Sequence, residues 1–130
     1  MFLDVVTKTQ RRSKNINYGY KVFAILGGAL AFESQNYKGI PVVKRGVWLK
    51  AEERSITYDN RKKKSYLSGF HFFTDKYAAE LWRGHAAWQR VVRVKVRGIH
   101  TYGTQFGHTV GVAREMRVPV RLKRQDKKST

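Results

Sequence analysis

An α+β domain is the fold class this chain predicts: a curved, mostly antiparallel sheet of about five strands with one main helix packed on it. Three observations lead there. Residues 92–97, VRVKVR, alternate valine with cation, so a strand would send Val92, Val94 and Val96 into a core and Arg93, Lys95 and Arg97 outward. Residues 20–34 hold two apolar runs joined by Gly27-Gly28, a pair that supplies the positive φ of a two-residue hairpin turn. Tyr77, Ala78, Leu81 and Trp82 recur at i, i+1, i+4 and i+5, one face of a helix.

Taken in order, the chain reads as one domain over residues 18–122, with a flexible basic arm over 1–17 and a polar basic tail over 123–130. The arm carries Lys8, Arg11, Arg12 and Lys14 with little periodicity. After the hairpin, Gly39 and the Ile40-Pro41 step predict a loop. Residues 41–43 and 47–49 then read as short strands around the turn Lys44-Arg45-Gly46. Arg61, Lys62, Lys63 and Lys64 are consecutive; four adjacent cations cannot share one strand face or be buried, which puts them in a solvated loop.

GFHFF (69–73) is a short apolar run suited to a buried strand. Thr74 can cap a following helix, with Asp75 just inside at the positive end of the dipole. Gly84 stops that helix and Arg83 suits its last turn. Tyr77, Leu81 and Trp82 are then expected to face Val92, Val94 and Val96. Gly98, Gly103 and Gly107 predict a loop over residues 98–109, and a strand resumes over 110–120. There Met116, Val118, Val120 and Leu122 alternate with Arg117, Pro119, Arg121 and Lys123. Pro119 cannot donate to a ladder and points to an edge.

With 27 Lys and Arg against 9 Asp and Glu, the formal charge is +18, which attracts polyanions over long range. Hydrophobic content of 42% with 13% aromatics separates the chain from a disordered basic tail. It contains no cysteine, which excludes disulfides, thiolate metal sites and cysteine nucleophiles. Near the start, cations follow the apolar residues, the reverse of a secretory signal, and no apolar run approaches the ~20 residues that cross a bilayer. The expected compartment is the cytoplasm, that of a host if the chain is phage encoded, with no membrane contact.

The histidines His71, His85, His100 and His108 match no compact ligand spacing, so neither a metal nor a cofactor is expected. His71, in an apolar strand, reads as a hydrogen-bonded core residue. Ser68 and Thr74 have no evident activating partner, and the adjacent Glu52 and Glu53 would point apart on a strand. The cationic strand faces are the better candidates: Arg93, Lys95 and Arg97 with Arg117, Arg121 and Lys123 would merge into one surface if their strands were neighbours. Arg11, Arg12 and Lys14 and the run Arg61, Lys62, Lys63 and Lys64 would add phosphate contacts, and Trp88 and Tyr102 would offer rings for unpaired bases.

The order YKVF, GVWLKAEE, GFHFFTDKYAAELW, VVRVKVRGI, VGVAREMRV resembles a poorly characterised small domain of phage and bacterial proteins. In that group a leading strand, a G-[FL]-H-x-F-like segment, a short alanine-containing helix, a V-x-V-x-V-x-G strand and a final A-x-x-[ILM]-x-V strand recur. The matching pieces here are residues 20–23, 69–73, 78–82, 92–98 and 113–118, spread over most of 20–120. The resemblance implies a compact α+β fold and a phage-like origin, and it brings no catalytic residue. The basic arm, the 61–64 run and the tail lie outside its pattern.

Three functions follow as expectations. The first is a non-enzymatic, strongly basic nucleic-acid-binding accessory protein, contacting RNA or DNA phosphates. The second is a viral protein that docks on an acidic surface of a host enzyme or virion component. The third is a small transferase-like or hydrolase-like enzyme, which requires a cleft joining His71 and His100 to Glu33 or Glu115.

Overall fold

The structure is a computed structural model that describes residues 3–32, 42–59, 61–84 and 87–122. Its elements are β1 (Val5–Thr9), β2 (Asn17–Leu26), β3 (Ala29–Phe32), β4 (Trp48–Lys50), β5 (Ser55–Asp59), β6 (Lys64–Leu67), β7 (Phe70–Phe73), α1 (Lys76–Arg83), β8 (Gln89–Gln105) and β9 (His108–Arg117). Seven strands form one sheet in the order β1-β8-β2-β7-β9-β4, with β3 beside β2; β8 also pairs with β9, so β8, β2, β7 and β9 close a ring. β5 and β6 form a separate hairpin.

This corrects the α+β expectation, which the resemblance also implied. The protein is mostly β, with 58% strand against 7% helix, and its large sheet has seven strands where about five were expected. Part of the difference lies in β1, β5 and β6, which form where an arm and a charge-rich loop were expected, and part in residues 98–109. They are not a loop: β8 continues through them to Gln105, and only Phe106 and Gly107, both at positive φ, make the turn into β9. The glycines that suggested a loop sit within or beside strands. Gly103, for example, lies where an added Cβ would come 2.2 Å from the Val5 carbonyl oxygen, so its lack of a side chain lets β1 approach.

β8 is the spine of the sheet. On one edge its first half pairs with β2 (Tyr20 opposite Arg93, Tyr18 opposite Lys95), and its second half pairs with β1. The other edge is taken by β9, with Lys95 opposite Arg117 and Arg97 opposite Glu115. Strict alternation breaks at Gly98, whose φ is +71°, and the β8–β9 register itself shifts just beyond, between Ile99 and Thr101. Val92, Val94 and Val96 are buried and the next buried apolar side chain is Ile99; on β9 the corresponding step runs from Ala113 to Met116. Both strands skip a residue together, so the core stays continuous while the sheet curves.

The ring's core gathers Phe23, Phe72, Val92, Val94, Val96, Ile99, Ala113, Met116 and Val118. A second cluster, with Val22, Tyr66, Phe73, Ala78, Ala79, Val110 and Val112, forms where α1 and the β5–β6 hairpin meet the sheet. The Phe72 ring sits between two glycines on neighbouring strands. A Cβ on Gly19 would lie 2.3 Å from its Cδ2, and one on Gly111 would lie 2.3 Å from its Cζ.

The hairpin over Gly27-Gly28 forms as expected, with β2 and β3 paired and both glycines at positive φ. The short strand at 47–49 forms as β4, whereas Val42 makes only an isolated bridge to Ala31. Val5–Thr9, within the stretch expected as a flexible arm, form the edge strand β1; beyond them Gln10 and Ser13 also hydrogen-bond the β8 backbone. β9 ends at Arg117, so Pro119 lies past the strand, not on an edge.

The helix is where expected, but it is rolled. Asp75, not Thr74, is the N-cap, its carboxylate accepting from the Tyr77 N–H at 3.3 Å. Tyr77 and Leu81 are 68% and 50% exposed, while Ala78 and Ala79 are buried. The helix therefore rests its two alanines, with Trp82, on the cluster that includes Phe73, Val22 and Val91, and does not face Val92, Val94 and Val96. Small side chains let it lie close to the sheet. Among the described residues, no helix is long and apolar enough to cross a membrane.

Two stability predictions follow. Gly111→Ala should lower unfolding free energy by ~1–3 kcal/mol through overpacking against Phe72, with part of the loss recovered by adding Phe72→Leu; urea denaturation of the three variants measures this. Leu81→Ala, at a half-exposed site, should cost less than Phe73→Ala, for which ~3–5 kcal/mol is expected.

Candidate nucleic-acid interface

Residues directly opposite one another on paired strands project to the same face. On β8 the outward phase is Arg93, Lys95 and Arg97, and the register extends it across four strands. Tyr18 of β2 stands opposite Lys95, Lys95 opposite Arg117 of β9, and Arg117 opposite Trp48 of β4. The result is a row with the order aromatic, cation, cation, aromatic. Three inter-strand spacings make it about 14 Å long. The next row continues Arg97, Glu115, Lys50.

Two guanidinium groups lie over the flanking rings. Arg93 stands 3.8 Å from the centroid of Tyr18 and Arg97 stands 4.0 Å from that of Trp48, both within cation–π range. Tyr18 remains 51% exposed. The one carboxylate of these rows, Glu115, is held by Arg97 through Nε at 2.7 Å and Nη2 at 3.2 Å, and that contact keeps its carboxyl below its ordinary value. Among the described residues no carboxylate pairs with Arg93, Lys95 or Arg117.

The other described acids are committed elsewhere. Asp4 accepts from the Phe106 N–H, Asp59 from the N–H groups of Arg61 and Lys62, and Asp75 caps α1. Glu52 pairs with Arg54, Glu80 with Arg83, and Glu53 with both Arg12 and Arg114. Burial opposes a charge on Glu53, but the hydrogen bonds and charges of the two arginines outweigh it and hold its carboxyl below the usual value.

The structure thus joins Arg93, Lys95, Arg97 and Arg117, as their alternation suggested, and leaves the other candidates apart. Arg121 lies beyond the end of β9, off the ladder, and Lys123 falls outside the described residues. Arg12 is spent on Glu53. Arg11 and Lys14 are exposed on the connector whose Ser13 bonds Gly98 and Ile99, beside the Arg97 row. Arg61, Lys62, Lys63 and Lys64 are exposed at the turn of the β5–β6 hairpin, which shares no ladder with this face. Tyr102 packs half-buried against the ring core, and Trp88 is exposed just before β8; neither stands in the row. Tyr18 and Trp48 were missed. The phase of NYGYKVF places Tyr18 and Tyr20 together on the face opposite Phe23, a readable signal, but nothing in the sequence tells which strand lies beside which.

Among the described residues, His71 and His100 are each engaged in hydrogen bonds, and His85 lies outside the described residues. His71 Nδ1 donates to the Gly69 carbonyl at 3.1 Å, so Nε2 accepts from the Tyr66 hydroxyl at 2.8 Å, which in turn accepts from the Leu3 N–H at 3.0 Å. Burial, helped by the Lys21 charge, lowers the His71 pKa to about 3. His100 is buried with Nδ1 2.7 Å from Thr101 Oγ1, and burial lowers its pKa too. It borders a cavity of about 370 Å³ with Thr9, Gln10, Ser55, Ser65, Tyr66, Leu67 and Thr101. Glu115 is engaged by Arg97, and Glu33 lies outside the described residues. No group of three or more potential metal ligands occurs among the described residues.

No protein-family model, no curated protein and no solved structure matches the chain.

His71 makes folding sensitive to acid. Its folded pKa of about 3 lies below the ordinary histidine value of 6.5, so between these values the unfolded chain binds a proton that the folded chain refuses. Stability is retained above that window and falls as pH drops through it, by up to ~1.4 kcal/mol per pH unit from this group. Against a His71→Gln variant, the parent's stability advantage at pH 7 should narrow as urea titrations are repeated down to pH 4.

Proposed function

We propose that the protein is a non-enzymatic nucleic-acid-binding protein that holds the sugar–phosphate backbone on the outward face of β8 and β9. The observation that carries the reading is Lys95 directly opposite Arg117, with Arg93 close by and no carboxylate on any of the three among the described residues. Like charges directly opposite each other on paired strands oppose folding. Nothing in the packing requires two cations there, and an anionic ligand would relieve the repulsion. The stacked rings at both ends of the row favour nucleic acid over an acidic protein surface, because π-faces suit bases and do nothing for carboxylates.

Binding should weaken steeply with salt. Three phosphate contacts from Arg93, Lys95 and Arg117 give a slope of log affinity against log salt on the order of −2 to −3. Fluorescence polarisation with labelled oligonucleotides, at several salt concentrations, should show the Lys95→Ser/Arg117→Ser double variant binding more weakly and with a slope shallower by roughly 1.5 units. Affinity and slope equal to the parent's would refute this face as the interface.

A further inference from the structure

We infer that the ligand of this face is single-stranded, with unpaired bases stacked on the ring–guanidinium layers at the two ends of the row. The inference rests on the nucleic-acid reading and narrows its substrate. A duplex offers phosphates to a protein surface while its base faces are stacked on one another, so it would use Lys95 and Arg117 and leave Tyr18 and Trp48 idle. A single strand presents both chemistries at once.

The geometry matches the second case. Tyr18 and Trp48 bracket Lys95 and Arg117, which no carboxylate pairs among the described residues, in one cross-strand row about 14 Å long, short enough for a few nucleotides. Each ring carries a guanidinium layer, from Arg93 at 3.8 Å and Arg97 at 4.0 Å, and flat guanidinium groups stack on bases as rings do. Arg97 is fixed in its plane by two hydrogen bonds to Glu115, so that layer is preformed. A footprint on the order of four nucleotides, near the low end for small single-strand-binding barrels, is expected.

The test compares labelled DNA and RNA oligonucleotides of mixed sequence, each single-stranded and annealed to its complement, at fixed salt. The parent should prefer the single strands. Tyr18→Ala should lose roughly 5- to 150-fold in single-strand affinity with its salt slope unchanged and its duplex binding unaltered, while Tyr18→Phe stays close to the parent. Trp48→Ala should behave alike; if it fails to fold by circular dichroism, the Tyr18 pair still decides. Equal binding of single strands and duplexes, or a Tyr18→Ala variant that binds single strands like the parent, would overturn this inference, while the Lys95→Ser/Arg117→Ser result would still stand for the broader reading. Absence of binding to every oligonucleotide would overturn both. A preference between the DNA and RNA single strands, on top of the Tyr18 loss, would identify the sugar that the face accepts.

Discussion

The architecture depends on β8 being paired along both edges for most of its length. β2 and β1 share one edge, β9 takes the other, and the ring closes because β7 reaches from β9 back to Tyr20 of β2. A strand so placed has no freedom of register: a slip of one residue would drive Arg93, Lys95 and Arg97 into the core and lift three valines out of it. The positive φ at Gly98 lets Ile99 be buried after Val96, and the register shift follows between Ile99 and Thr101. The cationic face is thus a by-product of the same alternation that builds the core.

Electrostatics then divides the surface. The described acids go to turns, to a helix cap and to five arginines, among them the Glu53 site where Arg12 and Arg114 converge. Among the described residues, only Arg97 receives one on the β8–β9 face, and that pairing orients the guanidinium over Trp48 without cancelling its neighbours. Net charge alone would be satisfied by cations scattered evenly. Four of them, Arg93, Lys95, Arg97 and Arg117, instead share one face with the exposed Tyr18 and the half-buried Trp48.

Much of the local structure was legible in the sequence. The valine–cation alternation gave the facing of β8, Gly27-Gly28 gave a hairpin, and the i, i+1, i+4, i+5 stripe located a helix. The stripe misplaced the buried side because Ala78 and Ala79 permit closer approach than Tyr77 and Leu81, and hydrophobicity alone does not weigh size. The fold class failed for a different reason: in 98–109, glycine marks bulging and close strand approach as readily as it marks a loop, and the two are separated only by long-range pairing. The same blindness hid Tyr18 and Trp48, which lie 30 positions apart in the chain (48 − 18) and become partners of one row through β8 and β9.

The strands that carry the row differ greatly in length. Lys95 and Arg117 stand on the 17-residue β8 and the 10-residue β9, whose exposure by local opening would require breaking the ring itself. Trp48 belongs to the three-residue β4 at the end of the sheet, and Tyr18 is the second residue of β2. The row therefore joins strands of unlike support: Lys95 has ladder partners on both sides, from β2 and β9, whereas β4 pairs with β9 alone among the described strands.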